Sequence, residues 1–149
     1  MAVTAKMYTN ALKAFMMATC NWKTTGGSVI KCALLTNAYT PDQDVHDFFD
    51  HCSANEVANG NGYTTGGATM APTDPTVDTA SNETRCDAAD VVWSASTITA
   101  RYAIIYFSTG TAATSVLIAY VDFGADVVSA AGTFTITWDA TGVFKITAA

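Results

Sequence analysis

The chain has 149 residues, of which 50% are hydrophobic and 13% charged, and its 7 bases and 13 acids give a net charge of −6. One domain of ordinary size fits this length, and the hydrophobic half excludes a disordered chain. No apolar run approaches the roughly 20 residues of a membrane-spanning helix, while charge is sparse against about 25% in average soluble domains.

In chain order, the first expected element is a helix over Ala5–Thr19. Tyr8, Ala11, Leu12, Phe15 and Thr19 form its apolar stripe, with Lys6, Thr9, Asn10 and Lys13 opposite and Thr4 as N-cap. Turn formers from Asn21 to Gly27 end this N-terminal helical arm, residues 1–27. Val29–Thr36 reads as a central strand, because both faces are apolar apart from Lys31. Thr40-Pro41-Asp42-Gln43 has the form of a capping box with proline at the first helical position. A short helix through Asp50 is expected there, its apolar residues Val45, Phe48 and Phe49.

Residues 59–67 are rich in Gly, Asn and Thr, and 69–84 in Thr, Ala, Pro and Asp, so loops or short edge strands are expected. Beyond Arg85 the pattern turns to β. Ile98, Ala100, Tyr102, Ile104 and Tyr106 alternate on one face of a long strand, with Thr99, Arg101, Ala103, Ile105 and Phe107 on the other. Strands follow at Val116–Phe123 and Thr133–Trp138, the latter turning Phe134, Ile136 and Trp138 one way. Asp139–Gly142 reads as a hairpin loop returning into Val143–Thr147. The reading is a single mainly-β domain over 1–149: a β-sandwich, jelly-roll-like, over 28–149, with an N-terminal helix and one short helix.

Charge is unevenly distributed. Residues 1–41 hold Lys6, Lys13, Lys23 and Lys31 and no acid, while all thirteen acids fall in 42–149. A basic N-terminal arm could meet an acidic surface on its own kind or on another protein, or simply be solvated. No dense basic stripe with interleaved aromatics marks a nucleic-acid site. Cys20, Cys32, Cys52 and Cys86 contain no C-x-x-C pair and accompany no export signal, so free buried thiols in a protein folded in a cytoplasm are expected. Met17-Ala18-Thr19-Cys20 is a poor match to a lipoprotein cleavage site.

Chemistry-bearing constellations are weak. Asp42, Asp44, His46, Asp47, Asp50, His51 and Cys52 form the densest polar cluster, but an EF-hand fails because its sixth and twelfth positions hold Asp47 and Ser53. Gly60-Asn61-Gly62 lacks the Gly-Lys-Ser/Thr of a phosphate loop and reads as turns. Asp122-Phe123-Gly124 spells a kinase motif without its partners and reads as a strand end. Asn82-Glu83-Thr84 fits a glycosylation sequon, which means nothing without a eukaryotic secretory route. No nucleophile sits in a recognisable activating setting, so catalytic residues, cofactors and metal are all expected to be none.

Four stretches together resemble a family of small virion proteins of tailed bacteriophages: Tyr39–Asp50 (YTPDQDVHDFFD), Ala54–Met70 (ANEVANGNGYTTGGATM), Thr97–Tyr106 (TITARYAIIY) and Gly132–Phe144 (GTFTITWDATGVF). The likeness spans roughly residues 28–147. It implies a structural capsid protein of the cement, or decoration, type that covers seams between major capsid protein subunits. It further implies a homotrimer on local three-fold axes at the capsid exterior, assembled in the host cytoplasm, with no membrane or nucleic-acid partner. Sparse charge and 24 threonines suit such a face, and Lys6, Lys13 and Lys23 are the expected capsid or subunit contacts. The alternative is a glycan-binding module of a tail or head fibre, with Trp22, Tyr63, Trp93, Tyr102 and Tyr106 as stacking platforms.

Overall fold

The computed structural model describes residues 2–26 and 28–148. Gly27, where the arm was expected to end, lies outside them, as do the terminal residues Met1 and Ala149. Among these residues ten strands and two α-helices follow in the order β1 (Thr4–Met7), α1 (Thr9–Met16), β2 (Ile30–Leu35), α2 (Asp50–Ser53), β3 (Ala68–Thr69), β4 (Thr76–Asp78), β5 (Glu83–Cys86), β6 (Val91–Ser96), β7 (Thr99–Phe107), β8 (Leu117–Val128), β9 (Gly132–Ile136) and β10 (Phe144–Thr147), with one 3-10 turn at Ala112–Thr114. The fold is mainly β, as expected.

A five-stranded antiparallel sheet in the order β1-β8-β7-β2-β3 forms one layer. The opposing layer is split between a three-stranded sheet, β10-β5-β4, and a two-stranded sheet, β6-β9. Between them Ile30, Cys32, Leu34, Ile105 and Ile118 of the large sheet pack with Trp93, Phe134, Ile136 and Phe144 of the smaller ones. The large sheet is also apolar on its far face, where Ala33, Leu35, Tyr102, Ile104 and Leu117 pack with Tyr8, Tyr39, Phe49 and Cys52. Burial on both faces explains why β2 reads as continuously apolar and sits inside the sheet.

Several expectations are corrected. The helix expected from Ala5 begins only at Thr9, with Tyr8 rather than Thr4 at its N-cap. Residues 4–7 pair with β8 in the register Thr4↔Asp122 to Met7↔Ala119, because that edge offers unpaired backbone groups that a solvated helical turn would leave open. Tyr8 packs in one core cluster and Ala14, Cys20 and Trp22 in the other, so this N-terminal segment is anchored on the β layers at these buried residues. Leu12, placed on the apolar stripe, is 42% exposed.

The capping box starts no helix. Asp42 instead accepts the backbone N–H groups of Asp44 and Val45, each at 3.1 Å, closing a side-chain turn. Phe48 is then held in an antiparallel bridge to Val116: Leu117 N–H donates to Asp47 O and Phe49 N–H to Ser115 O, both at 2.9 Å. The short helix starts only at Asp50 and is a single turn.

Alternation along β7 breaks at Arg101. Ala100 pairs with Val127, but Tyr102 pairs with Asp122, so β8 bulges between them. Ile98 and Ala100 therefore join the inter-sheet core, while Tyr102, Ile104 and Tyr106 face the other way. Asp122-Phe123-Gly124 lies at this bulge inside β8 rather than at a strand end. Asp139–Gly142 makes the expected tight turn, Gly142 N–H reaching Asp139 O at 2.8 Å. The return strand, however, pairs with β5 and not β9. Trp138 steers the chain away: its backbone N–H donates to Asp90 and its indole N–H to Ala89 O, both at 3.1 Å.

Candidate interaction surface

The three lysines expected at a contact lie on separate elements. Lys6 is exposed on β1, beside a groove of about 380 Å³ that it shares with Lys145. Lys13 is exposed on the last turn of α1 and lines another groove of about 380 Å³ with Phe48, Phe107 and Val116. Lys23 is exposed in the following loop, beside Thr24, whose N–H donates to Asp74 at 2.7 Å. No single basic arm unites them.

The five rings considered as stacking platforms are all core, none more than 9% exposed. Trp22 donates its indole N–H to Asp87 O at 3.0 Å. Tyr63 accepts the Leu34 N–H at 3.0 Å and donates to Glu56 at 2.6 Å, while Tyr106 donates to Gly66 O at 2.7 Å. The polar ends of these three bind the protein itself, and none of the five buried rings offers an open face to a sugar. Glu56 also accepts the Gly66 N–H at 2.5 Å, and burial pushes its carboxyl above the usual range despite these bonds and nearby Lys31.

The acidic segment of residues 42–52 runs from a side-chain-closed turn into α2. His46 Nδ1 accepts the Tyr39 hydroxyl at 2.8 Å and the Asp42 N–H at 3.2 Å, and His51 Nδ1 accepts the Asp47 N–H at 3.1 Å. A ring nitrogen that accepts a backbone N–H leaves the neutral ring's hydrogen on the other nitrogen, which then has no lone pair for a metal. Among the described residues no group of three or more His, Cys, Asp and Glu side chains is placed to hold a metal ion. Gly60, Asn61 and Gly62 all have positive φ, as the turn reading requires. The four cysteines are free and buried.

What the surface offers instead is uncovered apolar side chain. On α1 Leu12 is 42% and Met16 88% exposed, its C-cap Met17 is 63% exposed, and neighbouring Val45 is 63% exposed. At the free side of β1 a groove of about 390 Å³ is lined by Val3, Val121, Phe123, Val127, Ile136 and Trp138. On the small sheet Val77, Thr84 and Ile146 fall in one cross-strand row, with Val77 and Ile146 exposed. Sequence reasoning found the lysines but missed these residues: Leu12 and Val45 were placed among the apolar residues of expected helices, and Val77 fell in an expected loop or edge strand. Their offset from the Tyr8–Ala11–Ala14 stripe was the available signal for α1. Among the described residues no helix is long and apolar enough to cross a membrane. No family model, no curated protein and no solved structure matches this chain.

Proposed function

We propose that this chain is a virion structural protein of a tailed bacteriophage, a capsid cement or decoration protein that binds across neighbouring major capsid protein subunits. The observation that carries the reading is a firm β scaffold with apolar cores on both faces of its main sheet and large apolar residues, Met16 foremost, left on its surface. A domain of this kind is adapted to be covered. The resemblance of residues 39–50, 54–70, 97–106 and 132–144 to small phage virion proteins supplies the partner class. In this reading the protein is not an enzyme, works as a homotrimer on the capsid exterior and is assembled in the bacterial host cytoplasm. A closed ring of three matches a local three-fold lattice position.

Purified protein mixed with capsids that lack it should co-sediment with them and raise their resistance to heat or chelator. Scattering should report a trimer at micromolar concentration. Absence of capsid binding together with a monomeric mass would overturn the proposal. The fibre reading is the poorer one, since its five candidate rings are buried.

A further inference from the structure

The exposed face of α1 continues, without interruption, into the acidic turn beside its N-terminus. Thr9, Leu12, Lys13 and Met16 recur at i, i+3, i+4 and i+7, so they share one stripe, opposite buried Ala11 and Ala14. Thr9 is tied to the turn twice: its N–H donates to Gln43 O at 3.1 Å and its hydroxyl to Asp44 Oδ1 at 2.7 Å. One surface therefore runs from Val45 and Asp44, across Thr9, to Leu12, Lys13 and Met16. Leu12, Met16 and Val45 are its exposed apolar side chains; it is negative at the helix N-terminus and positive in the last turn, where Lys13 is the sole charge on the helix.

A surface with opposite charges at its two ends complements itself when rotated by half a turn. We propose that this face is a contact between two copies of the chain, their α1 helices antiparallel about a two-fold axis. The rotation brings Lys13 of each copy to the Asp44 of the other, puts Leu12 against Leu12 near the axis and lays Met16 over the opposite Val45. It also opposes the two helix dipoles. Isologous contacts require such self-complementarity, and methionine adapts readily to a weakly specified partner. An eight-residue helix is only about 12 Å long, so the patch is smaller than the roughly 800 Å² per partner of a stable pair. The contact is accordingly weak in solution and gains strength only where copies are held close together. It is separate from the three-fold assembly proposed above and stands or falls without it.

Sedimentation velocity of the full chain over rising concentration tests this. The parent should show reversible doubling of its basal assembly at sub-millimolar concentration, weakened by salt. Lys13→Glu and Asp44→Lys should each weaken the doubling about tenfold or more, since each sets like charges opposite one another. An equimolar mixture of the two variants should recover it. In the mixed pair the introduced glutamate meets the introduced lysine at one end, and the native Asp44 and Lys13 meet at the other. Leu12→Cys gives a readout independent of Asp44, whose replacement also removes the Thr9 bond. Under mild oxidation Leu12→Cys should form inter-chain disulfides much faster than Val77→Cys on the distant edge strand. No concentration-dependent doubling of the parent would overturn the proposal. So would a mixture that recovers nothing while both variants keep the parent's melting temperature, or cross-linking no faster at residue 12 than at 77.

Discussion

Arg101 and Asp122 form a fork across the bulge that joins β7 to β8: the Arg101 Nε–H donates to Asp122 Oδ1 at 2.6 Å and a terminal N–H to Oδ2 at 3.3 Å. The same Oδ1 accepts the Gly124 N–H at 2.7 Å. The guanidinium bond, ahead of that amide, holds the Asp122 carboxyl below its usual range. One side chain thus closes the bulge and pins the register of the main sheet. Asp122→Ala should cost about 1–3 kcal/mol by urea denaturation, since both donors lose a charged acceptor. A midpoint unchanged from the parent would show that the bulge holds without it.

The last strands give a second test. Phe134 is 4% exposed and packs edge-on to Trp93, whereas Trp138 is only half-buried and spends its indole N–H on Ala89 O. Phe134→Ala should cost about 3–5 kcal/mol. Trp138→Ala should cost less, about 1–2 kcal/mol. Alternation alone put both rings equally deep; equal losses would restore that view.

That difference illustrates what could be read from residues alone. β2 and β7 were legible because burial on both faces leaves an unbroken apolar run. The first strand was not, because Ala-Lys-Met suits a helix locally and its pairing is decided by the distant edge of β8. The capping box at Thr40 failed for a related reason: Asp42 satisfied the local amides through a turn, and backbone bonds to residues 115 and 117 took the rest. At the candidate surface, Lys13 was legible as a charge. Its sharing of a face with Leu12 was not, because the apolar stripe placed Leu12 inward, and the join of that face to Asp44 rests on the Thr9 bond between residues far apart in the chain.

Two glycines separate conformational strain from crowding. Gly67 has φ +70°, and a Cβ there would lie 2.6 Å from Ala33 Cα and closer still to the Cys32 carbonyl. Gly110 has φ +86° with nothing near. Gly110→Ala should cost about 1–2 kcal/mol for the left-handed backbone alone. Gly67→Ala should cost clearly more, because β2 would have to move, and thermal melts of both variants measure the difference.

The cysteines should be silent in the folded protein. Burial pushes the Cys20 and Cys86 thiols up to about 11 and Cys52 up to about 12, and Cys32 is raised further by the same cause. Thiolate is the reactive form. A thiol reagent at neutral pH should therefore label none of the four in native protein and all four after unfolding, with no change in melting temperature on adding reductant. A native thiol that reacts at the rate of a free peptide cysteine would contradict this burial.

Glu56 should make stability depend on pH in the direction opposite to the paired carboxylates. Asp122 is lowered, so its contribution is present above the usual aspartate value and is lost as pH falls through the folded one. Glu56 is raised, with desolvation outweighing the Tyr63 and Gly66 bonds and Lys31. Its contribution is complete below the ordinary glutamate value of about 4.3 and is lost as pH rises through the higher folded value. Glutamine can still accept from Tyr63 and Gly66 but carries no charge to desolvate. Glu56→Gln should therefore match the parent at the acid end and exceed it at neutral pH. Subtracting the two stability curves cancels the other carboxylates, so the difference should rise through the folded Glu56 value and then level off. A flat difference, or a variant weaker than the parent at neutral pH, would mean that Lys31 and the two hydrogen bonds outweigh the cost of burying the charge.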